Sequence, residues 1–172
     1  LPRNNFSDPF ELADGEVTLS FLPDFLGEDE KLPAGCPRLK IPEDWQKVVI
    51  LAFPNPKNSV FPVQFKAFDA SGNQFGSGDL LFINFSRSNV FGTIGSKKLQ
   101  LGKGETKVVR APTAQQGDYK VKLDVIPEAT GNRQRFLRQT WRHDPKRRQV
   151  VMVLPQAPPR QVSYYAASIS DW

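Results

Sequence analysis

Residues 118–125 read DYKVKLDV, and this stretch decides the fold class. Charged or polar residues alternate with apolar ones along it, and successive side chains of a β-strand point to opposite faces. One face is therefore predicted to be buried and the other to face water, which is typical of an antiparallel sheet. Residues 16–21 and 63–67 repeat the alternation.

Three short runs are apolar on both faces, namely 48–53, 80–85 (with Asn84 as its one polar residue) and 150–154. Turn-forming residues bound them, and they are too short for core helices. We interpret them as central strands that are covered on both faces. No stretch keeps a helical periodicity for more than about two turns.

Turn-forming residues also order the rest of the chain. Residues 69–73 and 102–104 predict hairpin loops. Residues 143–147 are predicted to turn a strand near 133–142 back into a strand at 148–154. About ten strands follow one another at the spacing expected of sandwiches and barrels. The sequence therefore predicts an all-β, antiparallel β-sandwich with little or no helix.

The length of 172 residues favours a single domain over 1–172. Residues 155–172 are predicted to be a Pro-rich C-terminal extension, either an added edge strand or a mobile tail. The chain starts at Leu1 without a Met, so it is interpreted as a trimmed chain or a mature protein, and a removed signal peptide is one explanation. We therefore expect an exported protein of the periplasm, outer surface or exterior. No apolar run is long enough to span a membrane.

Positive charge is concentrated in the second half of the chain. Residues 1–86 carry a net charge of −5, and residues 87–172 carry a net charge of +10. The densest part is the predicted hairpin 133–148. It supplies the candidate binding residues, Arg135, Arg138, Arg142, Lys146, Arg147 and Arg148. A basic face with aromatic residues suits a nucleic acid or an anionic glycan. The competing interpretation is a solvated sheet face whose positive charge discourages edge-to-edge pairing with other chains. We favour this interpretation over a binding site.

Catalytic and metal sites have little support in the sequence. One histidine and one cysteine cannot form a typical zinc site, so we predict no metal, no cofactor and no catalytic residue. A hydrolase that uses Cys36 with His143, or a pair of carboxylates, stays an alternative. His143 itself is interpreted as a solvated turn residue. The Asn84-Phe85-Ser86 sequon lies in a predicted central strand, so Asn84 is interpreted as buried.

Four stretches follow a recognisable order, namely residues 79–86, 90–95, 99–104 and 140–145. Their order of strand, Asn-x-Ser, strand and Gly turn resembles that of exported bacterial immunoglobulin-like β-sandwich proteins of unassigned activity. The resemblance covers about a third of the chain. It implies an exported, non-catalytic sandwich and carries no binding or catalytic residues.

The first functional expectation is a non-enzymatic binding or structural module of the bacterial envelope or exterior. Its partner would be an envelope protein or a glycan. The second is a polyanion binder that uses the region 133–148, with nucleic acid the less favoured ligand. A hydrolase is the third. This ranking follows from the sandwich pattern and the resemblance, which are fold-level arguments.

Overall fold

The computed structural model describes residues 6–27, 29–127, 130–157 and 161–170. Within these residues it contains strands and no helix, which confirms the predicted all-β class. In chain order the strands are β1 (Val17–Ser20), β2 (Arg38–Ile41), β3 (Val48–Pro54), β4 (Val63–Asp69), β5 (Leu80–Asn84), β6 (Asn89–Ile94), β7 (Lys97–Leu101), β8 (Thr106–Val109), β9 (Gly117–Ile126), β10 (Gln134–His143), β11 (Arg147–Pro155) and β12 (Val162–Ser170).

Contacts divide the chain into two compact units. The N-terminal unit is Phe10–Gln74, and the sandwich unit is Leu1–Pro9 with Phe75–Trp172. Strands β1 to β4 belong to the first unit, and β5 to β12 belong to the second. The assignment of 1–172 to a single domain stays a prediction.

The sandwich unit contains two four-stranded sheets. The front sheet has the order β10-β9-β6-β7, and the back sheet has the order β12-β11-β5-β8. Every neighbouring pair is antiparallel except β5 and β11, which run parallel. The back sheet is therefore mixed, which the prediction of a purely antiparallel sandwich did not include. The immunoglobulin-like order implied by the resemblance stays a prediction.

The inner faces of the two sheets meet in one apolar core, as the predicted β-sandwich requires. Alternate residues of β9 point into it, and Val121 and Leu123 are fully buried there. From the back sheet, Phe82 and Val151 enter the same cluster. The alternation that predicted a half-buried strand at 118–125 is thus confirmed by the position of β9 in the front sheet.

Two of the three apolar runs are central strands. Strands β5 and β11 lie in the middle of the back sheet, and every residue of β5 is buried. The prediction for 48–53 is wrong, because β3 pairs only with β4 in a two-stranded sheet. Ala52 is exposed, and β3 alternates between buried and half-buried positions. Consecutive apolar residues there reflect strand propensity more than burial on both faces.

The three predicted hairpin turns are wrong as hairpins, although the chain does turn at each place. Residues 102–104 lead from β7 in the front sheet to β8 in the back sheet. Residues 144–146 lead from β10 in the front sheet to β11 in the back sheet. Residues 70–79 join β4 to β5, which do not pair. A turn residue reverses the chain locally, but it does not determine which sheet receives the next strand.

The Pro-rich extension ends in an edge strand. Strand β12 pairs with β11 along its whole length, from Val162 opposite Pro155 to Ser170 opposite Arg147. The backbone N–H of Gln156 donates to the carbonyl of Gln161 at 3.0 Å and helps close the connection. Of the two outcomes left open by the sequence, the structure has the edge strand.

The N-terminal unit contains two antiparallel pairs, β1 with β2 and β3 with β4. Phe21 stacks on Phe65 with ring centroids 3.5 Å apart and ring planes 11° from parallel. Cys36, Ile41 and Val49 are buried in this unit. Stacked rings and buried aliphatic side chains give the unit apolar packing of its own.

Asn84 of the Asn-x-Ser sequence is buried, as predicted, and its side chain forms an internal polar connection. Asn84 is 0% exposed and ends β5. Its Nδ2 donates to the carbonyl oxygens of Ser88 and Gly102 at 2.8 and 2.9 Å. Its Oδ1 accepts from the backbone N–H and the hydroxyl of Ser86 at 3.0 and 2.6 Å. One amide thus ties the end of β5 to the loops that precede β6 and follow β7.

Strands β6 and β9 approach each other very closely at Gly92. A Cβ added there would overlap the backbone carbonyl oxygen of Lys122 and would lie 2.8 Å from Cδ2 of Leu123. Gly92 is opposite Leu123 in the register of the two strands. Glycine within a strand often marks a close approach of another backbone, and this one does.

Candidate functional site

The six residues selected from the sequence do not form one surface. Arg135, Arg138 and Arg142 lie on β10 in the front sheet, whereas Arg147 and Arg148 begin β11 in the back sheet. Lys146 is in the turn between them. The candidate binding surface is therefore the front sheet, where β10 lies beside β9, and not a hairpin of β10 and β11.

Three of these cations are engaged within the sandwich unit. Arg135 Nε donates to Asp124 Oδ1 at 2.9 Å, and Arg133 Nε donates to Asp124 Oδ2 at 2.7 Å. Arg147 forms an ion pair with Asp144 at 3.4 Å. Arg148 is only 5% exposed, and its guanidinium lies 5.8 Å from the ring centroid of Phe75. Arg148 is thus a packed side chain, which its sequence neighbours did not indicate.

Arg138 and Arg142 point to solvent from the outer face of the front sheet. Leu137 and Trp141, one residue before each of them, point inward against the core. Arg138 is directly opposite Lys122 of β9, and Arg142 is opposite Asp118. The alternation of β10 therefore places both arginines on the same outer face as the exposed residues of β9.

Lysines of β9 and β7 extend this positive surface. Lys122 is opposite Thr93 of β6, and Thr93 is in turn opposite Lys98 of β7. Lys120 is opposite Thr140 of β10. We define the basic face as the five exposed cations Lys98, Lys120, Lys122, Arg138 and Arg142.

Sequence reasoning missed the three lysines of the basic face. The alternation of 118–125 already placed Lys120 and Lys122 on the wet side of a strand. What the sequence lacked was the pairing of β9 with β10, which brings these lysines beside the arginines.

No member of the basic face forms an ion pair with any residue that the structure describes. A shallow depression of about 270 Å³ lies on this face. Lys120, Lys122, Arg138 and Thr140 line it. The depression thus offers three cationic groups and a hydroxyl to an anionic group from solvent.

A larger cleft lies where the edge strands of the two sheets face each other. Its volume is about 580 Å³. Strand β10 contributes Gln134, Arg135 and Phe136, and the chain at β12 contributes Gln161, Ser163 and Tyr164. The lining therefore combines two aromatic rings with amide, hydroxyl and guanidinium groups.

His143 is buried, so its interpretation as a solvated turn residue is wrong. It ends β10 at an inward position and is 4% exposed. Its ring centroid lies 6.4 Å from that of Tyr119, and its Nε2 has no hydrogen-bond partner among the described residues. Cys36, its suggested partner for a hydrolase, belongs to the N-terminal unit. The Cys–His hypothesis therefore gains no support from the contacts of His143.

Burial raises the pKa of Tyr119 from 10.0 to about 12. The folded state therefore holds the neutral phenol more strongly than the unfolded state does. This stabilisation is fully present below pH 10 and is lost as the pH rises through about 12. We expect a spectrophotometric titration to show a late tyrosinate step that Tyr119→Phe lacks. A wild-type curve that superimposes on the variant above pH 10, once scaled for tyrosine content, would contradict this assignment.

Two further properties bear on function. No group of three or more His, Cys, Asp or Glu side chains within the described residues could hold a metal ion. Among those same residues there is also no helix long and apolar enough to cross a membrane.

No protein-family model matches the chain, and no curated protein matches it significantly. Function is therefore inferred from the chemistry of the basic face and of the cleft.

Proposed function

We propose that this protein is a non-enzymatic binding module that holds an anionic glycan on the basic face. The observation that carries the proposal is the cross-strand pair of Arg138 and Lys122. Like charges directly opposite each other destabilise a sheet. An anionic ligand that neutralises both groups would offset this cost.

Protection of the sheet edge accounts for only part of the positive charge. Cations on an edge strand discourage pairing with other chains, and β10 is an edge strand. Lys120 and Lys122, however, belong to β9, which has neighbours on both sides. Edge protection does not explain two lysines on a central strand. A ligand that lies across the strands would explain them.

The residues of the basic face itself favour a glycan over a single-stranded nucleic acid. Single strands bind by stacking their bases on aromatic side chains that lie in a positive groove. The cross-strand row of Arg138, Lys122, Thr93 and Lys98 contains no aromatic ring, and Phe91, which lies on the same outer face of β6, is half-buried between Asp124 and Gln100. It offers charge and hydroxyl groups, which suit the carboxylate or sulfate groups and the hydroxyls of an acidic polysaccharide.

The triple variant Lys120→Gln/Lys122→Gln/Arg138→Gln tests the proposal. We expect it to bind sodium polygalacturonate and dextran sulfate at least about tenfold more weakly at low salt, because three of the cations that displace counterions are gone. Its binding should also respond less to added salt than that of the wild type. Affinity electrophoresis over a salt series measures both effects.

The matched control is Lys31→Gln/Arg38→Gln/Lys57→Gln, which removes three exposed cations of the N-terminal unit. It has the same net charge as the test variant and should bind both glycans like the wild type. If both variants bind the glycans equally weakly, the loss of binding comes from the lower net charge and not from the basic face. That result would overturn the proposal. Binding of oligothymidylate in preference to both glycans would replace the glycan by a nucleic acid.

Export to the bacterial envelope or exterior is a separate part of the proposal. Its support is the sequence resemblance, and acidic polysaccharides are ligands that such a location would offer. Fractionation of the source cells with an antibody to the chain tests it. Recovery of the protein from the cytosol alone would contradict export and would leave the binding experiment to stand by itself.

A further inference from the structure

The cleft between β10 and β12 has the volume of a small-ligand site, but it is open to solvent and its lining is more polar than apolar. Its volume of about 580 Å³ falls within the range of roughly 300–1,000 Å³ that is typical of such pockets. Val125 and Val162 are buried and give it an apolar base. Phe136 and polar side chains from both sheets line the remainder.

Tyr164 is held in a fixed orientation at this cleft. Its hydroxyl donates to Gln139 Oε1 at 2.7 Å, and the same oxygen accepts from Trp141 Nε1 at 3.2 Å. The rings of Trp141 and Tyr164 lie 5.7 Å apart, tilted by 33°. One side of the cleft therefore has an aromatic ring that is positioned before any ligand arrives.

A β-bulge supplies the second ring. The register between β10 and β9 shifts between Arg135 and Leu137, so Phe136 has no partner residue on β9. Bulges redirect a side chain and are frequent next to functional sites. Here the redirected side chain is Phe136, which lines the cleft and packs against the edge of the core.

Hydrogen-bonding groups surround the two rings. The side-chain amides of Gln134 and Gln161 make no hydrogen bond with the residues that the structure describes. Arg135 uses Nε for Asp124, which leaves its terminal nitrogens as donors. A planar apolar surface that is flanked by unengaged amides matches a pyranose ring, with apolar C–H faces and hydroxyls at its rim.

We propose that the cleft holds one pyranose ring of the anionic glycan, and this deepens the proposed function and partly rests on it. Phe136 and Tyr164 would contact the C–H face of the ring, and Gln134 and Gln161 would bind its hydroxyls. Phe136 and Arg138 are two residues apart on β10, or about 7 Å along a strand. A polymer anchored by one ring in the cleft could therefore continue directly onto the basic face.

Neutral disaccharides test the cleft without the basic face, because they carry no charge for it to bind. We expect saturation-transfer NMR to detect at least one of cellobiose, maltose and N,N′-diacetylchitobiose on the wild-type protein. Gln134→Ala/Gln161→Ala should weaken that binding about tenfold, since each amide contributes hydrogen bonds of ordinary strength. Phe136→Ala should weaken disaccharide binding further. The backbone amide NMR spectrum of this variant shows whether it keeps the fold.

The matched control is Gln100→Ala, which removes an exposed amide from β7 at the other edge of the front sheet. It should bind the disaccharide like the wild type. No transfer to any of the three sugars at their highest soluble concentration would overturn the proposal, as would unchanged binding by the Gln134→Ala/Gln161→Ala variant. The triple variant of the basic face should keep disaccharide binding, so failure of the polymer experiment and failure of the cleft are distinguishable.

Discussion

Replacing Gly92 with alanine is expected to lower the free energy of unfolding of the sandwich unit by about 3 kcal/mol. The new Cβ would overlap the carbonyl oxygen of Lys122 and would press on Cδ2 of Leu123 at 2.8 Å. A side-chain tip could rotate away, but the carbonyl belongs to the backbone of the adjacent central strand. Strands β6 and β9 would therefore have to separate, with loss of ladder hydrogen bonds.

Hydrogen exchange read by mass spectrometry measures this effect within the sandwich unit alone. Amides of β6 and β9 should exchange much faster in Gly92→Ala than in the wild type. Gly117→Ala is the control, because the nearest atom to its added Cβ is a backbone oxygen 4.0 Å away. Wild-type protection of β6 and β9 in Gly92→Ala would show that the strands tolerate a side chain there.

Replacing Asn84 with alanine is also expected to cost about 3 kcal/mol of unfolding free energy. The amide bonds the carbonyl oxygens of Ser88 and Gly102 and accepts two bonds from Ser86. Alanine would leave these groups in a buried place without their partner. An unsatisfied buried polar group costs roughly 1–3 kcal/mol, and several are affected here.

Urea unfolding followed by hydrogen exchange of β5 and β6 measures the loss. Ser86→Ala removes only one hydroxyl from the network and should cost less, about 1 kcal/mol. Asn89→Ala changes an exposed asparagine of β6 and is the matched control, with little expected change. Equal stability of Asn84→Ala and Asn89→Ala would refute the connecting role of the buried amide.

The strands that were predicted correctly from the sequence are those whose own residue pattern shows which of their faces are buried. The alternation of β9 and the apolar run Leu80–Ile83 of β5 each depend on burial of the strand itself, so both predictions hold. Strand β3 has a similar run but only one neighbour. Its apolar residues suit an edge strand as well as a central strand. Whether a strand has one neighbour or two depends on segments that lie far away in the chain.

The candidate site shows the same limit. Arg138 and Arg148 have similar basic neighbours in sequence, yet one is exposed on the basic face and the other is buried near Phe75. What separates them is the passage of the chain from the front sheet to the back sheet at 144–146. Residue type predicted that turn, but the destination of the next strand depends on the packing of the whole sandwich.

The parallel pairing of β5 with β11 constrains the order of events during synthesis. Leu80 has its partner at Gln149, and five strands lie between them in the chain. A ribosome must therefore release nearly all of the sandwich unit before β5 can acquire this neighbour. Until then β5, which is apolar except for its last residue Asn84, has one side unpaired, and such strands are prone to aggregate. The topology thus makes folding a late event, in which β11 completes a sheet whose other central strand emerged long before.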